Sequence, residues 1–208
     1  MLELSPEHVY QKDNRIVFGV TSVISEFIPF RYRGEDLYLH TPTGSVITKE
    51  IMDNASEIGS AIHKGMFYLL TGQGLNWNSL DPVLEAPLRQ GQKWIEEYSP
   101  EAELCEKSLY SARHDYAGTL DFFGKIKGLK KGHKVLIDYA TGMYGSKGQQ
   151  TSAYENLVRE ETKFKGIIDR FVLQLPRDGA DYKFIPMSDK TDFQRFLMKL
   201  QLQRMERE

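Results

Sequence analysis

Apolar and polar residues trade places along this chain with two periods, and the changes of period mark its elements. From Asp53 onward Ile58, Ile62, Met66 and Leu69 recur at helical spacing, and Thr71-Gly72 supplies a stop. A second helix is expected after Asp81-Pro82, with Leu84, Leu88, Ile95 and Tyr98 on one face and Pro87 placed to break or restart it. Strand-like alternation then takes over, first across Glu103–Tyr110. In the next segment Leu120, Phe122 and Ile126 fall on one face and Thr119, Asp121 and Lys125 on the other. In the one after that, Val135, Ile137 and Tyr139 alternate with Lys134, Leu136, Asp138 and Ala140, and a turn at Gly128–Gly132 joins the two.

Ser146 to Glu161 reads as a helix with Tyr154, Leu157 and Val158 apolar, and Ile167–Leu175 and Tyr182–Met187 read as strands around Arg177-Asp-Gly-Ala180. A last helix from Ser188 or Asp189 buries Phe193, Phe196, Leu197 and Leu200. Toward the N-terminus, His8–Phe27 reads as two short strands around Lys12-Asp-Asn14, whereas Phe30–Lys49 shows no period and is expected to be irregular. This order predicts an α/β fold, a mixed central sheet flanked by helices with an α-β-β-β-α-β core. With 208 residues and no repeat or long linker, a single domain is expected. Its core spans residues 55–187, after an N-terminal extension over 1–52 and before a C-terminal helix over 189–206.

A formal net charge of −2 excludes a globally basic nucleic-acid binder, so any phosphate affinity must be local. Lys125, Lys127, Lys130, Lys131, His133 and Lys134 crowd the expected turn and could serve as such a patch or as a solvated tip. The single cysteine, Cys105, excludes an internal disulfide and a cysteine zinc site, which fits a reducing compartment. No apolar run approaches the roughly 20 residues of a membrane span, so the expectation is a soluble, cytoplasmic protein.

The expected hairpin sets Asp121 nearly opposite Asp138. Two carboxylates about 5 Å apart repel by roughly 3 kcal/mol at an effective dielectric of about 20. A cation between them removes that cost, and a divalent metal with oxygen ligands is the natural candidate.

Four motifs around this pair resemble the RecB-like exonuclease group of the PD-(D/E)xK nucleases. Gly118 and Asp121 match its G-x-x-D, Asp138 and position 140 its D-x-K, Gln150 and Tyr154 its Q-x-x-x-Y, and Gly59 and His63 its G-x-x-x-H. The match covers residues 55–160 and implies a restriction-endonuclease-like core. The resemblance implies a Mg²⁺- or Mn²⁺-dependent deoxyribonuclease acting at DNA strand ends, single strands included, in recombination, repair or processing. The metal would be held by His63, Asp121, Asp138 and the Tyr139 carbonyl, with Gln150 and Tyr154 on the DNA. Compact members of the group are phage-encoded or serve mitochondrial genome maintenance. This implies the host cytoplasm and a recombination or single-strand-annealing partner if the chain is a phage protein. Gly59 in a helix costs about 1 kcal/mol against alanine, which suggests a close approach there. Glu106 would support the metal or a second ion, and Arg113 would touch an entering strand.

One residue departs from the group. Alanine stands at position 140, where D-x-K has lysine. Side chains two apart on a strand point the same way, so the lysine normally joins the aspartate at one phosphate. Ala140 therefore implies an inactive or weakly active form. Three accounts stand open: an inactivating replacement, a lysine supplied from elsewhere with Lys147 and Lys125 nearest, or a relative that binds DNA without cutting it. An endonuclease of the same fold is a further alternative.

Overall fold

Strands rich in β-branched and aromatic residues gather into one mixed sheet, and the amphipathic helices cover both its faces. The computed structural model describes residues 2–4, 9–142 and 145–207. Three short strands, β1 (Leu2–Leu4), β2 (Tyr10–Lys12) and β3 (Arg15–Gly19), form antiparallel pairs at one edge. Asp13 and Asn14 turn between β2 and β3 with φ of 51° and 63°, the left-handed geometry a two-residue hairpin demands. This bears out the two expected strands from Tyr10 on; His8 lies outside the described residues. Val20, Val23 and Ile24 do not extend them, since Val20–Val23 is a four-residue helix, α1, with both valines buried.

Residues expected to be irregular form a separate three-stranded antiparallel sheet of β4 (Phe27–Tyr32), β5 (Glu35–His40) and β6 (Ser45–Thr48). The reading missed it because so little of it is buried: every residue of β4 after Phe27 is exposed, which leaves no inside–outside alternation to detect.

Helix α2 (Lys49–Leu70) starts four residues before Asp53 because Thr48 caps it, its hydroxyl accepting from the Ile51 N–H. Helix α3 (Pro82–Tyr98) is capped by Asp81 and runs unbroken through Pro87, which is buried. A long hairpin follows, β7 (Glu101–Ser111) and β8 (Tyr116–Lys125), then β9 (His133–Ala140), antiparallel to β8. The crossover helix α4 (Lys147–Thr162) returns the chain to β10 (Ile167–Gln174), parallel to β9. Strand β11 (Lys183–Pro186) closes that edge, and α5 (Asp192–Met205) ends the described chain.

Two cores result. Leu120, Phe123 and Leu136 pack with Tyr154, Leu157 and Val158 of α4 and Phe196 and Leu200 of α5. On the opposite face Phe122, Val135, Ile137 and Tyr139 pack with Ile62 and Met66 of α2 and Leu88 and Trp94 of α3. The expected mixed sheet flanked by helices is therefore present. Among the described residues no helix is long and apolar enough to cross a membrane.

One topological detail positions the site. Strand β7 covers one edge of β8 along its length, so β3 and β9 must share the other edge. The first pairs at Tyr116 and Ala117, the second at Phe122, Phe123 and Gly124. Between them the edge of β8 forks, and Asp121 sits at the fork.

Candidate metal centre

The last rung between β8 and β9 pairs Phe122 with Ile137, and continuing the register would set Asp121 against Asp138. The strands part there instead. Asp121 Oδ2 accepts the Tyr139 N–H at 2.6 Å, so a carboxylate takes the place of the next ladder bond. Asp121 Oδ1 lies 3.1 Å from Nδ1 of His63, which α2 brings across the fork. Glu106 Oε1, from β7, lies 3.7 Å from the same nitrogen. That oxygen is buried and makes no hydrogen bond. His63, Glu106 and Asp121 each offer one ligand atom, all within 4.8 Å of one another.

Glu106 owes its place to a break in the strand. Its neighbours Cys105 and Lys107 pair with Phe122 and Leu120, so Glu106 is level with Asp121, yet its φ is 47°. A non-glycine residue in that left-handed region costs about 1–2 kcal/mol, and such strain gathers at functional sites. The alternation of β8 breaks at the same level, for Leu120 packs into the α4 core and Phe122 into the α2–α3 core. The expectation that Leu120 and Phe122 share a face is corrected accordingly.

Asp138 is 1 % exposed and bound otherwise than expected: Lys147 Nζ donates to its Oδ2 at 2.6 Å. Lys147, the first residue of α4, also donates to Gln150 Oε1 at 3.0 Å, and Gln150 Nε2 donates to the Tyr154 hydroxyl at 3.2 Å. Asp138 thus holds an ammonium beside the His63–Glu106–Asp121 group. The Tyr139 side chain packs edge-on to His63, with ring centres 5.8 Å apart. Ala140 and Lys147 line one hollow of about 200 Å³ together with His63, Tyr139 and Arg177. Lys147 therefore lines the same space that residue 140 borders. Gln150 and Tyr154, both buried, line a neighbouring hollow of about 440 Å³ with His63, Glu106 and Asp121.

The site's electrostatics follow from burial and from these carboxylates. Burial alone would lower the pKa of His63, but Asp121 and Glu106 outweigh it and hold the imidazole well above its usual value. Burial raises Asp138, with Asp121 adding to the rise and Lys147 and His63 opposing it. Cys105 is pushed up to about 12 by burial and then by Glu106 and Asp121, so it is no reactive thiol.

Other expected residues stand apart. Arg113 lies in the β7–β8 turn beyond Tyr116, which is itself about 16 Å from Asp121 along the strand, and Lys125 lies about 13 Å beyond Asp121 the other way. Gly59 makes no close approach, since a Cβ there would meet nothing within 4 Å. It borders both hollows. Of the two motif glycines, Gly118 is the one that packing requires: a Cβ would lie 2.7 Å from the Tyr154 ring and 2.9 Å from Val20. The sequence reading missed a chain in which Tyr10 and Ser108 both reach the Thr119 hydroxyl, at 2.9 and 2.7 Å. It also missed Arg177, which was read only as part of a turn. No short-range pattern signals either.

No protein-family model matches the chain, and no curated protein matches it.

Proposed function

We propose that this chain is a Mg²⁺- or Mn²⁺-dependent DNA exonuclease of the RecB-like, restriction-endonuclease-like type, with Lys147 supplying the ammonium that position 140 lacks. The observation that carries this reading is the convergence at the β8–β9 fork. An imidazole and two carboxylates meet within 4.8 Å, and a buried Asp138–Lys147 pair stands beside them. The donor set fits a hard or borderline divalent ion, and the unsatisfied buried oxygen of Glu106 is the kind of atom that such an ion satisfies. His63, Glu106 and Asp121 would hold it, with Asp138 adjacent. When bound, the ion would polarise a phosphoryl oxygen and lower the pKa of water.

The chain's own residues do the rest. Asp121 is fixed by the Tyr139 N–H and does not swing away. Asp138 and Gln150 hold the Lys147 ammonium at the wall of the hollow, where its charge would offset the charge that grows in the transition state. Tyr154 holds Gln150 from behind, and Arg177 at the rim supplies a second cation for the strand.

End-labelled single- and double-stranded DNA tests the reading. The unmodified chain should release label with Mn²⁺ or Mg²⁺. Lys147→Ala should lose about 10²–10³ in rate, the usual loss for one transition-state donor. Adding Ala140→Lys to Lys147→Ala should restore most of it. Ala140 favours a second reading, a DNA-binding module that does not cut. That reading holds if the unmodified chain, Lys147→Ala and Ala140→Lys all bind DNA and none cleaves it.

A further inference from the structure

We propose that the small sheet β4–β6 is a landing platform that feeds single-stranded nucleic acid into the fork. This rests on the nuclease reading above and names the form of substrate the site takes. An isolated sheet ordinarily buries one apolar face, but here an apolar face looks outward. Ile28, Phe30, Tyr32 and Val46 are 53, 39, 56 and 51 % exposed. The register sets Ile28 opposite Leu39 and Leu39 opposite Val46, so all of them share that face with Phe30 and Tyr32. Leu37 and Leu39 at the centre of that face are half-buried, as are Tyr38 and Ile47 on the other, and β5 and β6 pack on α2.

The chemistry of this face suits unpaired bases. Phe30 and Tyr32 stand two residues apart, about 6.6 Å, near twice the 3.4 Å rise per nucleotide of a stacked strand. An unstacked strand could therefore lay one base on each ring. Arg33 follows Tyr32 in the turn, and its guanidinium lies 5.2 Å over the Tyr32 ring. Arg31 is exposed on the opposite face, where it meets Asp36 at 3.8 Å. Rings for bases with a cation beside them are what binding to a single strand requires. A duplex hides its base faces and offers these rings nothing.

The platform also opens onto the site. A hollow of about 230 Å³ at the root of β4 runs from Phe27 and Thr21 to Lys147 and Gln150. Thr21 borders the cavity of His63 and Asp121 as well. At its other end β6 passes directly into α2, which carries His63. A second copy of the chain fits this face less well. The four exposed side chains offer on the order of 400 Å², about half of what one partner contributes to a stable interface. Pro29 also removes an N–H from an edge strand that might otherwise pair.

The test uses the full chain, a fluorescent oligo-dT of about 20 nucleotides and a matching duplex, in EDTA so that nothing is cut. The unmodified chain should prefer the single strand. Phe30→Ala with Tyr32→Ala should weaken its binding by about 5- to 150-fold for each stacked base lost, with an unchanged melting temperature. Tyr32→Leu, which keeps apolar area but loses the ring, should weaken binding in the same direction. Unchanged oligo-dT affinity in the double alanine variant overturns the proposal. So does equal affinity of the unmodified chain for both DNAs, or a dimer in sedimentation that Phe30→Ala dissociates. Hydrolysis of bis-p-nitrophenyl phosphate, too small to need the platform, reports on the metal centre separately. If no hydrolysis occurs with Mn²⁺ but oligo-dT binding still depends on Phe30 and Tyr32, the platform stands and the nuclease reading falls.

Discussion

Replacing Lys147 by methionine keeps most of the side chain's reach and removes its charge, leaving Asp138 at 1 % exposure with no cation at 2.6 Å. Breaking one side of a buried ion pair costs about 3–5 kcal/mol. Asp138 has a way out, because it can take up a proton. Near pH 7, protonating a carboxyl with an unfolded pKa of about 3.9 costs about 1.36 kcal/mol for each of some 3.1 pH units, so the loss cannot exceed about 4.2 kcal/mol. An expected deficit of about 3–4 kcal/mol, divided by an unfolding entropy of about 2.1 cal/mol/K per residue, lowers Tm by about 7–9 °C for a chain of this length. The sign with pH follows from Asp138's folded pKa, which burial raises and which rises further without Lys147. A raised carboxyl penalises the folded state increasingly as pH climbs above the unfolded pKa. The variant's deficit should therefore shrink on acidification, by up to about 2.7 kcal/mol over two pH units. Calorimetry of both proteins at pH 5 and pH 7 measures this. A Tm difference under about 1 °C at pH 7, or one that does not fall at pH 5, would show that Asp138 and Lys147 are not a buried pair, and Lys147 would lose its proposed role.

Two further outcomes are expected. His63 is held protonated by Asp121 and Glu106, and an ion must displace that proton, so Mn²⁺ affinity in calorimetric titration should rise with pH across the neutral range and fall at least about 10-fold in Glu106→Asn. An affinity flat in pH or indifferent to Glu106 would remove both residues from the ligand set. Gly118→Ala should destabilise by about 1–3 kcal/mol by forcing Tyr154 and Val20 apart, seen as a Tm lower by about 2–7 °C.

The two aspartates were legible as a facing pair because strand alternation and the turn between the strands are local signals, whereas helical period placed His63 only on the flank of a long helix and the G-x-x-x-H resemblance singled it out. The α/β order was legible for the same reason. Sheet β4–β6 was not, since a sheet exposed on most of its surface leaves no alternation. Glu106 was expected to support the metal through the resemblance alone, with no signal in its own strand. Its arrival beside His63 depends on a left-handed backbone at one position, and a glutamate gives no sign of that, as a glycine would. The pairing of Lys147 with Asp138 could be listed among alternatives but not chosen, because it depends on where α4 begins relative to β9. The tether of α4 lies elsewhere still. Arg170 donates to the Gly148 carbonyl and the Thr151 hydroxyl and pairs with Asp192, contacts that join residues more than 20 positions apart in some cases.

The fork at Asp121 also has a kinetic side. Its β9 prong is made by a short hairpin, but its β3 prong is closed by Phe18 and Gly19 meeting Tyr116 and Ala117 across almost half the chain, through two rungs. A closure over about 100 residues is entropically costly and slow to find. It is reinforced by a small cluster of Tyr10, Val17 and Ala117 and by a bidentate Arg15–Asp115 contact at 2.6 Å. The wall that Tyr10 provides is thus expected to join late in folding and to open locally before the hairpin side. Amides of β3 should exchange with solvent well before those of β9, and the cleft would breathe on that side while its carboxylates stay in place.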